Sequence, residues 1–485
     1  MKRRDALKTL GKIGAAAAAA SLLPGMAATA GCGDDGNSTP DAGPDAAPDA
    51  KVYPDGIYNY VFMMMENRSF DHAFGARSMI EGKPGNGPML TDFNNDVDGN
   101  PVTLFHPGID ALCDLDPPHD WDSAHAAWNN GANDGFLIQH QMSYNNDITA
   151  QQPMQYLTRN EMPISYALAD QYSHSDTWFC SIMGPTWPNR FYWHTGQSDG
   201  LITNELPTGS GGINWPSVYH RLQAKGIDWK YYYGSLAVVS LITDLDIVGK
   251  TVPFARFMQD CAAGTLPPVS YIDPAFYNND DHPPIHPING QELIATVYKA
   301  LAQSPQWKNV MLVITYDENG GFFDHVSPPT TADDRSDMGF GQLGFRVPAI
   351  VAGPYIKEGY ISSVQYDHTS ALKHLQDTFD LDPLTARVSA ANNLNDFIDM
   401  DRLAAKDWKP PIDLPDVDLS QWPMGDSCHY TGSDPRMMPG MGSDPHDIIQ
   451  WADAHKAELG DMDRRAQIPE YRAEIAAFLG HPRKF

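Results

Sequence analysis

The chain has 485 residues, of which 42% are hydrophobic and 11% aromatic, and it carries a formal charge of −28. That length supports a large core, and one large domain with embellishments fits it better than two. Such an excess of acid argues against a nucleic-acid groove, so no nucleic-acid partner is expected.

Residues 1–32 read as a targeting segment. Lys2, Arg3 and Arg4 precede an Ala-rich apolar stretch from Gly14 to Ala30, the charged and apolar regions of an export signal. The paired arginines fit a twin-arginine signal. Pro24 and Gly25 interrupt the apolar stretch, which argues against a permanent membrane span. Thr29-Ala30-Gly31-Cys32 resembles a bacterial lipoprotein cleavage box, although Thr29 stands where an aliphatic residue is usual. A lipidated Cys32 in the cell envelope and simple secretion both stay open. Residues 33–52 repeat Pro-Asp-Ala and have almost nothing to build a core with, so a disordered, semi-extended linker is expected there, a tether to a membrane surface if Cys32 is lipidated. Cys113, Cys180, Cys261 and Cys428 remain, an even number in an exported protein, for which one or two disulfides are expected.

The folded part is expected over 53–393, with a loop-rich extension over 394–485 packed against it. Ile57–Met65 is a nearly continuous apolar run that breaks into Glu66-Asn67-Arg68-Ser69-Phe70-Asp71-His72. It reads as a buried strand ending in a carboxylate and an amide, with Asn67 or Ser69 also suited to cap a following helix. His119 sits in a stiff loop, Pro117-Pro118-His119-Asp120-Trp121. A helix with a following turn is predicted over Pro163–Asp176. In Gly184-Pro185-Thr186-Trp187-Pro188-Asn189-Arg190, Pro188 lies where a helix through Asn189–Thr195 could begin, placing the Thr186 hydroxyl beside unpaired amide donors, a seat for a phosphate. His282 precedes Pro283-Pro284 and a helix predicted over Asn289–Gln303.

Val310–Thr315 is a second buried strand. It breaks into Asp317, Glu318, Asn319, Gly320 and Gly321, followed by Asp324-His325. Ligands of open α/β sheets bind outside the carboxyl ends of strands, so Glu66 and Asn67 would share a crevice with Asp317 and Glu318 if the two strands are neighbours. Val347–Gly353 reads as another strand, Thr369–Asp380 as a helix, and Ile468–Leu479 as a final amphipathic helix. The Met-rich stretch Met437–Met441 is expected to be an ordinary surface or packing loop.

Glu66–Gly75 (ENRSFDHAFG), the PHDW around His119, Gly184–Arg190 (GPTWPNR), Asp281–Pro284 (DHPP) and Thr315–Pro329 (TYDENGGFFDHVSPP) resemble the ordered motifs of the bacterial phosphoesterase family that contains phosphatidylcholine-type phospholipases C and acid phosphatases. The resemblance spans about residues 55–380. It implies an alkaline-phosphatase-like, three-layer α/β/α fold with a mostly parallel central sheet, and a phosphoric ester hydrolase working through a phosphoenzyme. By motif match Thr186 would be the nucleophile, and Glu66, Asn67, Asp317 and Glu318 would hold one divalent metal ion, calcium, magnesium, manganese or zinc. His119 and His282 would bind the phosphoryl group or protonate the leaving group, with Asn189 and Arg190 contacting substrate and His325 either contacting substrate or orienting a ligand carboxylate. The family's acid phosphatases tend to have serine at the nucleophile position, and Thr186 points to the phospholipase branch, with a phospholipid as substrate. The alternatives are an acid phosphatase and a catalytically silent surface binding protein.

Overall fold

The computed structural model describes residues 55–107, 115–207, 212–417 and 452–480. The export signal, the linker, Cys32, Cys113, Cys428 and the Met-rich stretch lie outside the described residues, all of which belong to the compact unit Asp55–Phe485. Ten strands are described: β1 (Asn59–Met65), β2 (Phe93–Asn95), β3 (Pro101–Thr103), β4 (Ser173–Ser175), β5 (Trp229–Tyr233), β6 (Thr251–Pro253), β7 (Val269–Asp273), β8 (Val310–Tyr316), β9 (Ala349–Ala352) and β10 (Tyr360–Ser362).

Eight of them form one sheet in the order β10-β4-β9-β8-β1-β7-β5-β6. Only β9 pairs antiparallel with its neighbours, β4 and β8; the other adjacent pairs are parallel. The central strands β1 (NYVFMMM) and β8 (VMLVITY) are buried at every position, as a parallel strand covered on both faces must be. On one side, Tyr60 and Phe62 meet His374 and Trp193 of the helices Thr369–Phe379 and Thr186–Thr195. Helices Pro163–Gln171, Ala255–Ala263 and Ile468–Leu479 gather around Ile288–Ala302 as a second group. The architecture is the expected α/β layering around a mostly parallel sheet.

The elements differ from expectation in places that bear on the site. The helix after Gly184 begins at Thr186 itself, three residues early, with Pro185 as its cap. Pro188 is accommodated because the first helical turn needs no N–H from it. The segment after Gln171 adds β4 instead of a simple turn. Ser69 takes the helix cap, its hydroxyl accepting from His72 N at 3.0 Å. Cys180 and Cys261 are buried free thiols, so the disulfides expected from cysteine parity do not join these two. In the carboxyl-terminal part, Lys409 Nζ donates to Ile356 O and Ile412 N to Tyr298 OH, at 2.7 and 2.8 Å.

A buried guanidinium fastens the loops at this edge of the sheet. Arg346 donates through Nη2 to Asp71 Oδ1 (2.7 Å), through Nε to Asp324 Oδ1 (2.9 Å) and through Nη1 to the carbonyls of Asn86 and Asp176. Replacing Arg346 by Ala leaves two buried carboxylates without their cation, and a loss of about 3–5 kcal/mol is expected. A guanidinium chloride midpoint that drops accordingly at constant slope checks this; an unchanged midpoint would refute it.

Candidate active site

Strands β1 and β8 are parallel neighbours in register Met65 with Tyr316, so Glu66-Asn67 and Asp317-Glu318 leave the sheet side by side. The condition set by the sequence is met. Asp317 Oδ1 accepts from Asn67 N (3.1 Å) and Glu318 N (2.8 Å), and Glu318 Oε2 accepts from Gly320 N at 2.6 Å. Asn67 has a positive φ of 58°, a strained backbone that asparagine tolerates better than most residues. Glu66, Asn67, Asp317 and Glu318 are all buried.

Thr186 opens its helix, and Arg190 lies one turn further on the same face. The Arg190 guanidinium is fully buried and touches Glu66 Oε1 (3.1 Å), Asp273 Oδ1 (3.1 Å) and Asp317 Oδ2 (3.3 Å). It thus spans the ends of β1, β7 and β8 and ties the Thr186 helix to the carboxylate pair. Burial opposes its charge, but Asp273, Glu66 and Asp317 more than compensate and raise its pKa further. Arg190 is therefore a partner of the acids. Asn189 is likewise engaged within the protein. Its Oδ1 accepts from Ile182 N, and its Nδ2 donates to the carbonyls of Gly184 (2.9 Å) and Pro185 (3.1 Å), so the side chain braces the turn before Thr186.

The helix terminus is also poorer in donors than expected. Trp187 N donates to Asn204 Oδ1 at 3.1 Å, Asn189 N reaches Pro185 O, and Pro188 has no N–H to give.

Both motif histidines have one ring nitrogen committed to the backbone. His119 Nδ1 donates to Pro117 O at 2.7 Å and His282 Nδ1 to Pro283 O at 2.6 Å, which leaves Nε2 as the nitrogen presented by each ring. The rings lie 6.0 Å apart. His119 Nε2 accepts from Asn67 Nδ2 at 3.3 Å and lies 4.0 Å from Glu318 Oε1. The loop carrying His282 is held against β1, since Asp280 O accepts from Glu66 N at 2.8 Å and Asp281 O accepts from Arg68 Nε and Nη2 at 2.9 and 2.6 Å. Thr186, the four strand-end residues and the two histidines are thus linked through Arg190, Asn67 and this loop.

His325 stands apart from that set. Its Nδ1 and backbone N both meet Asp71 Oδ2 at 2.7 Å, and Nε2 lies 3.1 Å from Asn86 Oδ1. Burial lowers its pKa, but the hydrogen bond and charge of Asp71 outweigh this and raise it. The imidazole joins the Arg346 cluster, where it holds the Asp71 carboxylate.

The donor chemistry suits a divalent cation. Asn67 Oδ1 is buried and accepts no hydrogen bond among the described residues, and with Glu66, Asp317 and Glu318 it makes a set of hard oxygen donors. Two further groups bring three ligating atoms within 4.8 Å of one another, Asp116 with His119 and His282, and Asp71 with Asp324 and His325. In the first, the Pro117 carbonyl and the Asn67 amide engage both nitrogens of His119. In the second, Arg346 already supplies the cation.

Two groups at the site escaped the sequence reading. Asp273 ends β7 and holds Arg190; burial pushes its carboxyl up to about 6 against the pull of Arg190, and Tyr231 OH donates to its other oxygen. Its signal was available, since VSYID is another strand that ends in an acid. His368 Nε2 donates to Asp317 O at 2.6 Å, and burial holds its pKa down at about 4. Nothing local marks it. The aromatic residues close in sequence to Thr186 are core: Trp193 packs on Phe62 and Tyr271, Trp187 on Phe276, and Tyr192 OH donates to Asp333. Trp121 is half-buried, lying against His125 and Phe340.

The family described as "Phosphoesterase family" matches residues 57–382. Phospholipase C A of Mycobacterium tuberculosis is 30% identical over 390 residues, covering 67% of this chain and 73% of its own length. The non-hemolytic phospholipase C of Burkholderia pseudomallei is 31% identical over 402 residues, covering 67% of this chain and 55% of that protein. Among solved structures, a protein of the alkaline phosphatase superfamily from Vibrio parahaemolyticus aligns over 48% of this chain and 64% of its own, with 11% identity and a TM-score of 0.34.

The meeting of the strand ends depends on Gly320. Its φ is 62°, and a Cβ there would stand 2.4 Å from Asn67 O. Gly320→Ala should therefore cost about 1–3 kcal/mol in backbone strain alone and displace Asn67 with it. A thermal melt that falls together with metal affinity checks this, and wild-type values for both would refute it.

Proposed function

The chain belongs to the phosphoesterase family and is a phosphoric ester hydrolase; from that premise we propose that it is a metal-assisted phospholipase C-type enzyme, cleaving phospholipid head-group diesters through a phosphothreonine. The observation that carries this reading is the parallel pairing of β1 with β8, which sets Glu66-Asn67 beside Asp317-Glu318, with the Thr186 helix tied to both through Arg190. The likeness to proteins named phospholipase C supports it.

In this reading Glu66, Asn67, Asp317 and Glu318 hold one divalent ion, whose chemistry is to neutralise phosphoryl oxygens and favour the alkoxide form of the nucleophile. Thr186 Oγ attacks phosphorus as the P–O bond to the alcohol breaks, and the threonine proton passes to solvent or a nearby base. His282 delivers a proton to the departing alcohol oxygen. It does so as imidazolium, because Nδ1–H is held on Pro283 O and only Nε2 can give the second proton. His119, whose Nε2 faces Asn67 and Glu318, binds the phosphoryl group. Water then cleaves the phosphothreonine, with an imidazole taking its proton. We further propose an exported, envelope-bound or secreted enzyme; among the described residues no helix is long and apolar enough to cross a membrane.

Charge supports a diester. Arg190 is occupied by Glu66, Asp273 and Asp317, so its charge is balanced before substrate arrives. A phosphomonoester brings roughly two negative charges near neutral pH and a diester one.

Thr186→Ala should lower kcat by about a thousandfold or more, since it removes the hydroxyl oxygen that accepts the phosphoryl group. Thr186→Ser should retain turnover and form a phosphoserine. An alanine variant within tenfold of wild type would remove Thr186 from this role. At pH 7, p-nitrophenyl phosphorylcholine should show a higher kcat/KM than p-nitrophenyl phosphate, with the gap narrowing in acid as the monoester gains a proton. A monoester value at or above the diester's would move the assignment to a phosphomonoesterase.

A further inference from the structure

The last helix, Ile468–Leu479, lies outside the residues matched by the family, yet it grips the loop that carries His282. That loop runs from the end of β7 at Asp273 to the helix Ile288–Ala302. Its inner side is fixed by Glu66 N and Arg68, as described above, and Tyr316 OH donates to Asp281 Oδ2 at 2.7 Å. Its outer side is fixed from the chain's far end. Arg472 donates through Nη1 to Asn278 Oδ1 at 2.9 Å, on the stretch entering the loop, and through Nη2 to Asn289 Oδ1 (2.9 Å) and Glu292 Oε2 (3.0 Å), just beyond it. One buried guanidinium therefore ties the loop at Asn278 to the helix that follows it. Beside it, Asn279 Nδ2 donates to Tyr471 OH at 3.0 Å.

The link to the site is short. Asn278 follows Tyr277, whose ring lies 5.3 Å from that of His282, and the His282 tautomer depends on the carbonyl of Pro283 in the same loop. A guanidinium that holds three partners in fixed directions restricts rotation as well as separation, which an ammonium cannot do.

We propose that Tyr471 and Arg472 are positioning residues for the reaction: the carboxyl-terminal helix is a clasp that closes the His282 loop from outside and sets the direction in which His282 faces the leaving oxygen. This rests on the reading of His282 as the proton donor. A clasp of this kind affects proton delivery, which matters for an alcohol that leaves poorly and little for p-nitrophenolate, which leaves without a proton.

The test uses the full chain with Arg472→Met, Arg472→Lys and the milder Tyr471→Phe, beside His282→Ala. Arg472→Met should lower kcat on phosphatidylcholine by about a hundredfold, the scale expected of a small misplacement of a reacting group. On p-nitrophenyl phosphorylcholine it should lose about threefold or less, with bound metal and KM unchanged. Arg472→Lys should recover part of the loss, and Tyr471→Phe should show the same asymmetry at smaller size. Hydrogen exchange of residues 274–287 should quicken in Arg472→Met while β1 and β8 keep wild-type protection. Equal losses on both substrates, or unchanged exchange in this loop, would overturn the proposal. If His282→Ala shows no leaving-group asymmetry while Arg472→Met still frees the loop, then the role given to His282 fails and the clasp stands. Should Arg472→Met not fold, exchange and kinetics of Tyr471→Phe decide by the same criteria.

Discussion

Four acids converge on the carboxyl edge of the sheet, Glu66, Asp273, Asp317 and Glu318, and each is buried. Bringing carboxylates out of water costs several kcal/mol apiece unless opposite charge comes with them. Arg190 supplies that charge between β1, β7 and β8, and because it grows from the helix that Thr186 begins, electrostatic necessity also fixes where the threonine stands. The same residue that makes the acid cluster tolerable thereby ties the helix begun by Thr186 to the carboxylates. A cation arriving from solvent would answer the charge but would leave the helix free to slide.

The pattern recurs around the site. Arg346 binds Asp71 and Asp324, and Arg387 binds Asp367 and Asp333 while donating to Ser181 O at 2.9 Å. Each of these arginines joins loops from distant parts of the chain. Backbone contact does the rest: Gly321, at φ 67°, lies where a Cβ would stand 2.6 Å from Pro118 O, so the His119 loop rests directly on the turn that follows Glu318. The paired glycines of the ENGG stretch are thus the surface on which two other loops seat, one at each glycine.

Much of this could be read in advance because it is local. Uninterrupted apolar runs that break into Glu-Asn and Asp-Glu declare buried strands and their ends, whereas the pairing of β1 with β8 was a condition that only the structure meets. The partners of Arg190 and Asn189 could not be read, because the deciding contacts are either 83 to 127 residues away in the chain or made by backbone carbonyls that carry no sequence signal. An arginine beside Thr186 looks alike whether it faces substrate or acid. The partner of His325 was hidden for the same reason, since Asp71 lies 254 residues away in the chain. The packing of the aromatic residues near Thr186 was equally hidden, since a helix on the sheet turns most of its rings inward.

The clasp formed by Tyr471 and Arg472 has a consequence in time. Every described strand of the sheet precedes residue 363, so the acids of the crevice are synthesised long before residues 468–479. Until that last helix is made and docked, the His282 loop lacks its outer restraint. Translation order thus delays the closing of that loop until residues 468–479 have been made.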